Sequence, residues 1–238
     1  MKIYIDAGHN YSGADTGATG NGLKEQDITF YVSIILKEYL TEAGFDVKCS
    51  RNYLADNVAN TLNRSINYRW QEANAWNADY FISLHCDASD STSAKGTHIC
   101  VYNKGTTAEK LANSIIPYLL NLGLDGRANK IIERHDLAVL KHTNMPAILI
   151  EMGFITNPDN AKLMQTPNSL AHAIFTGIYN FIKGGTKMNT DYVTITEAIA
   201  ILKDKGIITD ADKWYSGTWT DDDFKWLLRK VGTYIRDN

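Results

Sequence analysis

Only three of the 238 residues are cysteine, Cys49, Cys86 and Cys100. An odd number without metal-knuckle spacing excludes a disulfide scaffold and reads as reduced thiols in a reducing compartment. No apolar run approaches the roughly 20 residues that a bilayer span needs, so membrane insertion is not expected. Positive charge is not in excess either: 24 Lys and Arg stand against 27 Asp and Glu, a net charge of −3, and no basic tract offers a footprint for nucleic acid or anionic lipid. The His-Glu-x-x-His helix of common metalloproteases is missing. The opening Met1-Lys2-Ile3-Tyr4-Ile5-Asp6 reaches a carboxylate after a few apolar residues, unlike a secretory signal. Synthesis in the cytoplasm is therefore expected, and if the substrate lies outside the cell something else must carry the protein there.

What remains is an ordinary globular composition, 44% hydrophobic and 21% charged. Short apolar strands alternate with helical-period segments, which predicts an α/β fold with a twisted, mostly parallel central sheet flanked by helices. Ile3-Tyr4-Ile5 opens it, and a glycine-rich loop from Gly8 to Gly22 follows. Ile28, Tyr31, Val32, Ile35, Leu36, Tyr39 and Leu40 give a helix its apolar face, stopped by Gly44. Phe45 to Arg51 reads as a strand. Thr61 is the expected N-cap of a helix carrying Leu62, Ile66, Trp70 and Ala73. Strands are expected at Tyr80 to His85, His98 to Tyr102 and Ala147 to Ile150, and helices at Ala108 to Leu120 and Ser169 to Ile182.

Three strands end in side chains that bind metals or move protons: Asp6-Ala7-Gly8-His9, Ser83-Leu84-His85 and Ile150-Glu151. In open α/β sheets the reactive crevice lies at the carboxyl edge of the strands, so His9, His85 and Glu151 can converge. Glu25 starts the first long helix, where the dipole and a cation would both favour its charge. Two imidazoles and a carboxylate leave a tetrahedral zinc one position for water, and Glu151 is then free as general base. Cobalt or manganese also suits such a donor set. Taken singly, each residue has a structural alternative: a hydrogen-bonded strand end, a dipole partner, a tight turn.

At these residues the sequence resembles a known family. Asp6-Ala7-Gly8-His9, Asn21-Gly22-Leu23-Lys24-Glu25, Leu62-Asn63-Arg64 with Ala73-Asn74, Phe81 to Ala88, and Met145 to Asn157 are similar to the zinc-dependent N-acetylmuramoyl-L-alanine amidases of the Amidase_3 type, in the family's order over about residues 1–183. The resemblance implies an α/β catalytic domain, one Zn2+ held by His9, Glu25 and His85, and Glu151 as catalytic carboxylate. It implies peptidoglycan as substrate, cut at the amide between N-acetylmuramic acid and the L-alanine of the stem peptide. Asn10 stands where glycine is common and Cys86-Asp87 where a small or amide pair is common. Arg64 is expected either to hold a substrate carboxylate or to form a helix-surface salt bridge, and Thr156-Asn157 to shape a loop that carries the stem peptide. His98, His135, His142 and His172 match no ligand position and read as ordinary polar residues. A zinc peptidase cutting within the stem peptide, or a non-catalytic wall-binding protein, are the alternatives. The absence of a leader suggests a phage or prophage endolysin.

The pattern breaks at Lys183-Gly184-Gly185, which sets a catalytic domain at 1–183, a linker at 184–190 and a small all-α module at 191–238. The final segment lacks proline but holds Trp214, Trp219 and Trp226. These aromatics could stack on wall sugars, form the module's own core, or mediate self-association into a homo-oligomer. Lys-Gly-Gly before Met188 permits an internal start that would supply a free copy of the tail to pair with the full chain. A flexible glycine linker is the simpler reading.

Overall fold

Continuous apolar runs at three strands, with longer amphipathic segments between them, dictate a sheet buried on both faces. In the computed structural model of the chain, the described residues are 1–184, 202–203, 205–209, 226–227, 229–231 and 233. They form β1 (Lys2–Ala7), the ribbon β2 (Thr19–Gly20) and β3 (Leu23–Lys24), α1 (Glu25–Glu42), β4 (Asp46–Cys49), α2 (Leu62–Ala75), β5 (Tyr80–Asp87), β6 (His98–Val101) and α3 (Thr107–Asn121). There follow β7 (Ile131–Glu133), the single turn α4 (Ala138–Lys141), β8 (Ala147–Phe154), α5 (Pro158–Met164) and α6 (Pro167–Ile182). No described helix is long and apolar enough to cross a membrane.

The main sheet has six strands in the order β4-β1-β5-β8-β6-β7. All neighbours run parallel except β6 against β8. Ile3, Tyr4 and Ile5 of β1, Phe81, Ile82 and Leu84 of β5, and Ile148, Ile150 and Met152 of β8 are fully buried. Each such large apolar side chain stabilises the fold by about 1.5–3 kcal/mol. β1, β5 and β8 are therefore the rigid floor, and since they run parallel side by side, their carboxyl ends share one edge. On one flank α6 packs against both α1 and α3.

Several local expectations need correction. Tyr31 of the anticipated α1 face is exposed, and the buried set is Ile28, Phe30, Val32, Leu36 and Leu40. Thr61 does cap α2, accepting from the Arg64 backbone N–H at 3.4 Å. Leu62 is exposed, whereas the expected Ala73 is buried and Ile66 packs against the core; the other buried positions of α2 are Ser65 and Arg69. Ser65 and Arg69, four apart on one face, meet the carboxylates of Asp15 and Asp6, and Ala73 a further turn on joins the apolar core with Tyr4 and Phe81. The segment after α3, for which the sequence predicts no element, supplies the edge strand β7, which extends the sheet beside β6.

The chain divides into two compact units, Met1–Thr186 and Lys187–Asn238. In the second, Ile208 is buried with Leu202, Ile207 and Leu227 packed on it. Trp226 is exposed, with Lys230 Nζ 5.5 Å from its ring centroid. Trp214, Trp219, Ile195, Ile199, Phe224 and Met188 lie outside the described residues.

Candidate metal centre and active site

β1 ends at Ala7, and the chain turns sharply through Gly8 into His9, whose φ of +68° lies in the left-handed region. A non-glycine residue held there stores roughly 1 kcal/mol or more of strain, which the surrounding structure must offset. The turn brings the His9 ring over the end of β5. A Cβ on Gly8 would come within 2.7 Å of His85 Nε2 and 2.5 Å of the Leu84 carbonyl. A Cβ on Gly17 would lie 2.7 Å from Glu25 Oε2 and 2.8 Å from His9 Cδ2. Only glycine leaves room for the three side chains to meet.

They meet closely. Glu25 Oε1 lies 3.0 Å from His9 Nε2 and 3.1 Å from His85 Nδ1, and the two ring nitrogens are 3.2 Å apart. One donor atom from each residue falls within 4.8 Å of the others, so the set can hold a metal ion. The remaining valences of Glu25 are used: the Cys86 N–H donates to Oε1 and the Ala18 N–H to Oε2, both at 2.8 Å. The Glu25 side chain is 4% exposed while His9 and His85 are each 20% exposed, so the imidazoles border the open side. Hydrogen bonds and charge from His85 and His9 outweigh burial and hold the Glu25 carboxyl far below the usual range. Against its burial, hydrogen bonds donated to the Asp15 and Glu25 carboxylates push His9 up to about 9. Paired imidazole nitrogens crowded on one carboxylate oxygen are the arrangement a divalent cation relieves, and the donor types suit zinc.

Behind His9 runs a buried polar chain that the sequence reading did not anticipate. Asp15 Oδ1 lies 3.3 Å from His9 Nδ1, and Asp15 Oδ2 accepts from Ser65 Oγ at 2.5 Å. Arg69 bridges Asp15, at 3.4 Å, and Asp6, at 2.6 Å, and Asp6 in turn accepts from Ser83 Oγ at 2.7 Å. Asn10 is fully buried: its Oδ1 accepts from the Val58 N–H at 3.0 Å, and its Nδ2 donates to the Ala59 carbonyl at 2.9 Å. The amide at the position where glycine is common thus ties the 56–59 loop to the His9 turn.

Glu151 sits one strand over, paired in register with His85. Its Oε2 is buried without a hydrogen-bond partner. Burial, then the charges of Asp87 and Glu25, raise its proton affinity well above that of an ordinary carboxylate. On the other side Glu151 pairs in register with His98, whose Nδ1 is 3.5 Å from Asp87 Oδ2. His98, read from sequence as an ordinary polar residue, thus neighbours Glu151 across the ladder and faces Asp87. Arg127 forms an ion pair with the same Asp87. Cys86 is buried, burial drives its thiol well up, and it lies outside the three-residue cluster.

Neither Arg64 nor Asn157 belongs to the three-residue cluster. Arg64 is on the exposed face of α2, lining a 310 Å³ cavity with Val58, Ala59, Asn67, Tyr68 and Gln71. Asn157 is buried and caps α5: its Oδ1 accepts from the Asp159 and Asn160 N–H groups at 3.1 Å each, and its Nδ2 donates to the Thr92 carbonyl at 2.7 Å. Its amide is committed to structure, with Pro158 preorganising the helix start behind it.

An α/β sheet whose carboxyl edge gathers two histidines and a glutamate, with a second glutamate alongside, defines a hydrolase scaffold with a candidate metal centre. The chain belongs to the N-acetylmuramoyl-L-alanine amidase family, Amidase_3, whose pattern matches residues 3–183. It is 30% identical over 189 residues to the germination-specific N-acetylmuramoyl-L-alanine amidase of Bacillus subtilis (strain 168), covering 75% of this chain and 78% of that one. Over 175 residues it is 32% identical to the endolysin of Bacillus phage SPP1, covering 71% of this chain and 60% of the phage protein. The fold matches the CwlD amidase of Clostridioides difficile, solved in complex with the GerS lipoprotein, at a TM-score of 0.68 and 24% identity, over 77% of this chain and 98% of that one.

Proposed function

We propose that this amidase hydrolyses the amide joining the lactyl group of N-acetylmuramic acid to the L-alanine of the peptidoglycan stem peptide, with His9, Glu25 and His85 holding one zinc ion and Glu151 carrying the proton. The observation that supports it most is the meeting of three donor atoms within 4.8 Å, beside a carboxylate in register with one of them. When bound, zinc supplies Lewis acidity towards the amide carbonyl and makes an attacking water more acidic. Asp15 orients His9 through Nδ1, which leaves Nε2 free to face the cation. Glu151, ionised beside the cation, takes a proton from the attacking water and passes it to the alanine nitrogen as the C–N bond breaks. The products are a lactyl carboxylate and a free alanine amine.

Mass spectrometry of digested sacculi tests the reading: stem peptides beginning with L-alanine and glycans with free lactyl groups are expected, whereas fragments cut within the peptide would replace it with a peptidase. Glu151→Gln keeps the metal stoichiometry and loses cleavage, while His9→Ala loses both. Likeness to a phage endolysin supports a lytic role, in which a protein made in the cytoplasm reaches the wall after release. For residues 191–238 the reading is attachment to the wall or to a second copy, with internal initiation at Met188 as one source of that copy. Intact mass and light scattering of the expressed product decide between one species and two.

A further inference from the structure

Three features set the 310 Å³ cavity between α2 and the 58–59 loop apart from an ordinary surface dent. Its loop wall is fastened to the turn that carries His9, because Asn10 holds the Val58 N–H and the Ala59 carbonyl. Its helix wall is fastened from behind, because Ser65 Oγ reaches Asp15, the carboxylate behind His9. The Tyr68 ring is held at its tip: the hydroxyl donates to Glu72 Oε1 at 2.9 Å, and Lys48 Nζ lies 2.9 Å from the same oxygen. Tyr68 is thus 36% exposed and yet ordered before any ligand arrives, which lowers the entropy cost of stacking on it. Trp70 Nε1 donates to Asn67 Oδ1 at 3.2 Å, which orients that amide and leaves its NH2 as donor. Gln71 adds an amide donor and acceptor, Val58 and Ala59 add apolar contact, and Arg64 is the single charge of the lining. One aromatic face, two amides and one cation suit a hydroxyl-rich ring better than a strong anion. The C–H face of a sugar stacks on an aromatic ring, while its hydroxyl and acetamido groups take hydrogen bonds at the rim. Three of the four exposed tyrosines among the described residues, Tyr11, Tyr53 and Tyr68, stand on or against this loop. The Tyr11 N–H donates to the Asp56 carbonyl at 3.2 Å and the Tyr53 N–H to Asp56 Oδ2 at 2.9 Å. Exposed aromatics gathered in one place, rather than scattered, mark a binding surface.

We propose that this cavity binds an N-acetylhexosamine ring of the glycan strand, with Tyr68 as the stacking platform and Asn67 and Gln71 as the hydrogen-bonding rim, while Tyr11 and Tyr53 extend the contact along the polymer. The inference rests on the amidase reading for the identity of the polymer. It adds a hold on sugar rings outside the three-residue cluster, so that the strand is gripped by its backbone as well as at the amide being cut. At the low end of small-molecule sites, the volume suits a single ring.

The test uses the full chain and tetra-N-acetylchitotetraose, which carries the acetamido sugar and has neither a lactyl group nor a peptide. Calorimetric titration is expected to show saturable binding that weakens about tenfold in Tyr68→Ala and about threefold in Gln71→Ala, both at exposed positions. Tyr68→Phe keeps the ring and is expected to keep most of the binding. On sacculi, Tyr68→Ala is expected to raise KM by a similar factor with kcat unchanged, while turnover of a soluble muramoyl dipeptide, which has no second sugar, stays as it was. No saturable binding of the tetrasaccharide overturns the proposal and leaves the amidase reading intact. So does binding undiminished in Tyr68→Ala, as a site on residues 191–238 would give, or binding lost equally in Tyr68→Phe. Tetrasaccharide binding that depends on the Tyr68 ring, in a protein that releases no stem peptides from sacculi, instead overturns the amidase reading and keeps the sugar site. Should Tyr68→Ala not fold, Gln71→Ala decides, an unchanged affinity overturning the proposal.

Discussion

Asp15 reaches His9 Nδ1 at 3.3 Å while His9 Nε2 faces Glu25 Oε1 at 3.0 Å, so the two ring nitrogens have separate duties, one anchored and one offered. Asp15→Asn keeps the shape but removes the charge that fixes the tautomer. Metal affinity, read by competition with a chromogenic chelator, is expected to fall about 10- to 100-fold with the fold preserved.

Arg69 and Arg64 share a helix and differ entirely in consequence. Arg69 is 3% exposed and neutralises Asp6 and Asp15. Replacing it by Met leaves two buried carboxylates without their partner, and thermal or urea unfolding is expected to show a loss of about 3–5 kcal/mol. Arg64→Ala, on the exposed face, is expected to change stability by less than about 0.5 kcal/mol, and an unchanged KM on sacculi would remove it from the substrate-contacting set.

Gly17 is held to a hydrogen atom by its neighbours. In Gly17→Ala the added carbon would meet Glu25 and His9 at 2.7–2.8 Å, and both belong to the fixed cluster. Overpacking of this kind costs about 1–3 kcal/mol. The expected signature is a metal content well below one per chain in protein that still shows the native circular dichroism spectrum.

His98 gives the stability an acid slope. Burial, followed by the charges of Arg127 and Arg134, holds it at about 4 against an ordinary 6.5, with Asp87 facing its Nδ1. The folded protein keeps it neutral while the unfolded chain protonates, so stability is retained above pH 6.5 and lost as pH falls towards 4. Allowing for solvent screening, the loss is about 2 kcal/mol. In His98→Gln that contribution is gone. The gap between the melting temperatures of the original and variant proteins should therefore shift in the variant's favour between pH 6.5 and 4.

The strand-end argument named His9, His85 and Glu151 because residues closing buried apolar strands occupy one edge, whatever their separation in sequence; His9 and His85 do meet Glu25, and Glu151 pairs in register with His85. Glu25 followed from the helix start. The polar chain behind them was not legible in the same way. Apolar periodicity on α2 picks out Leu62, Ile66, Trp70 and Ala73, and Ala73 is indeed in the core, but the burial of Ser65 and Arg69 is set by Asp15 and Asp6, which belong to other segments. A polar pair four apart, Ser65 and Arg69, one turn before the expected Ala73, was the available signal. Arg127 and His98 gave no local signal, since the stretch around Gly126 has no period and a lone histidine on a strand is usually structural. For Asn157 the cue was present: an asparagine directly before Pro158 announces a helix start, and the side chain serves that cap.

The three cluster residues come from a turn after β1, the first residue of α1 and the body of β5, so a cation seated among them would also act as a clasp across the glycine-rich 8–24 loop. Chelation would then do more than silence turnover: it would free that loop to fray and invite proteases. On the proposed zinc reading, a cell short of that metal would hold an enzyme short-lived as well as idle.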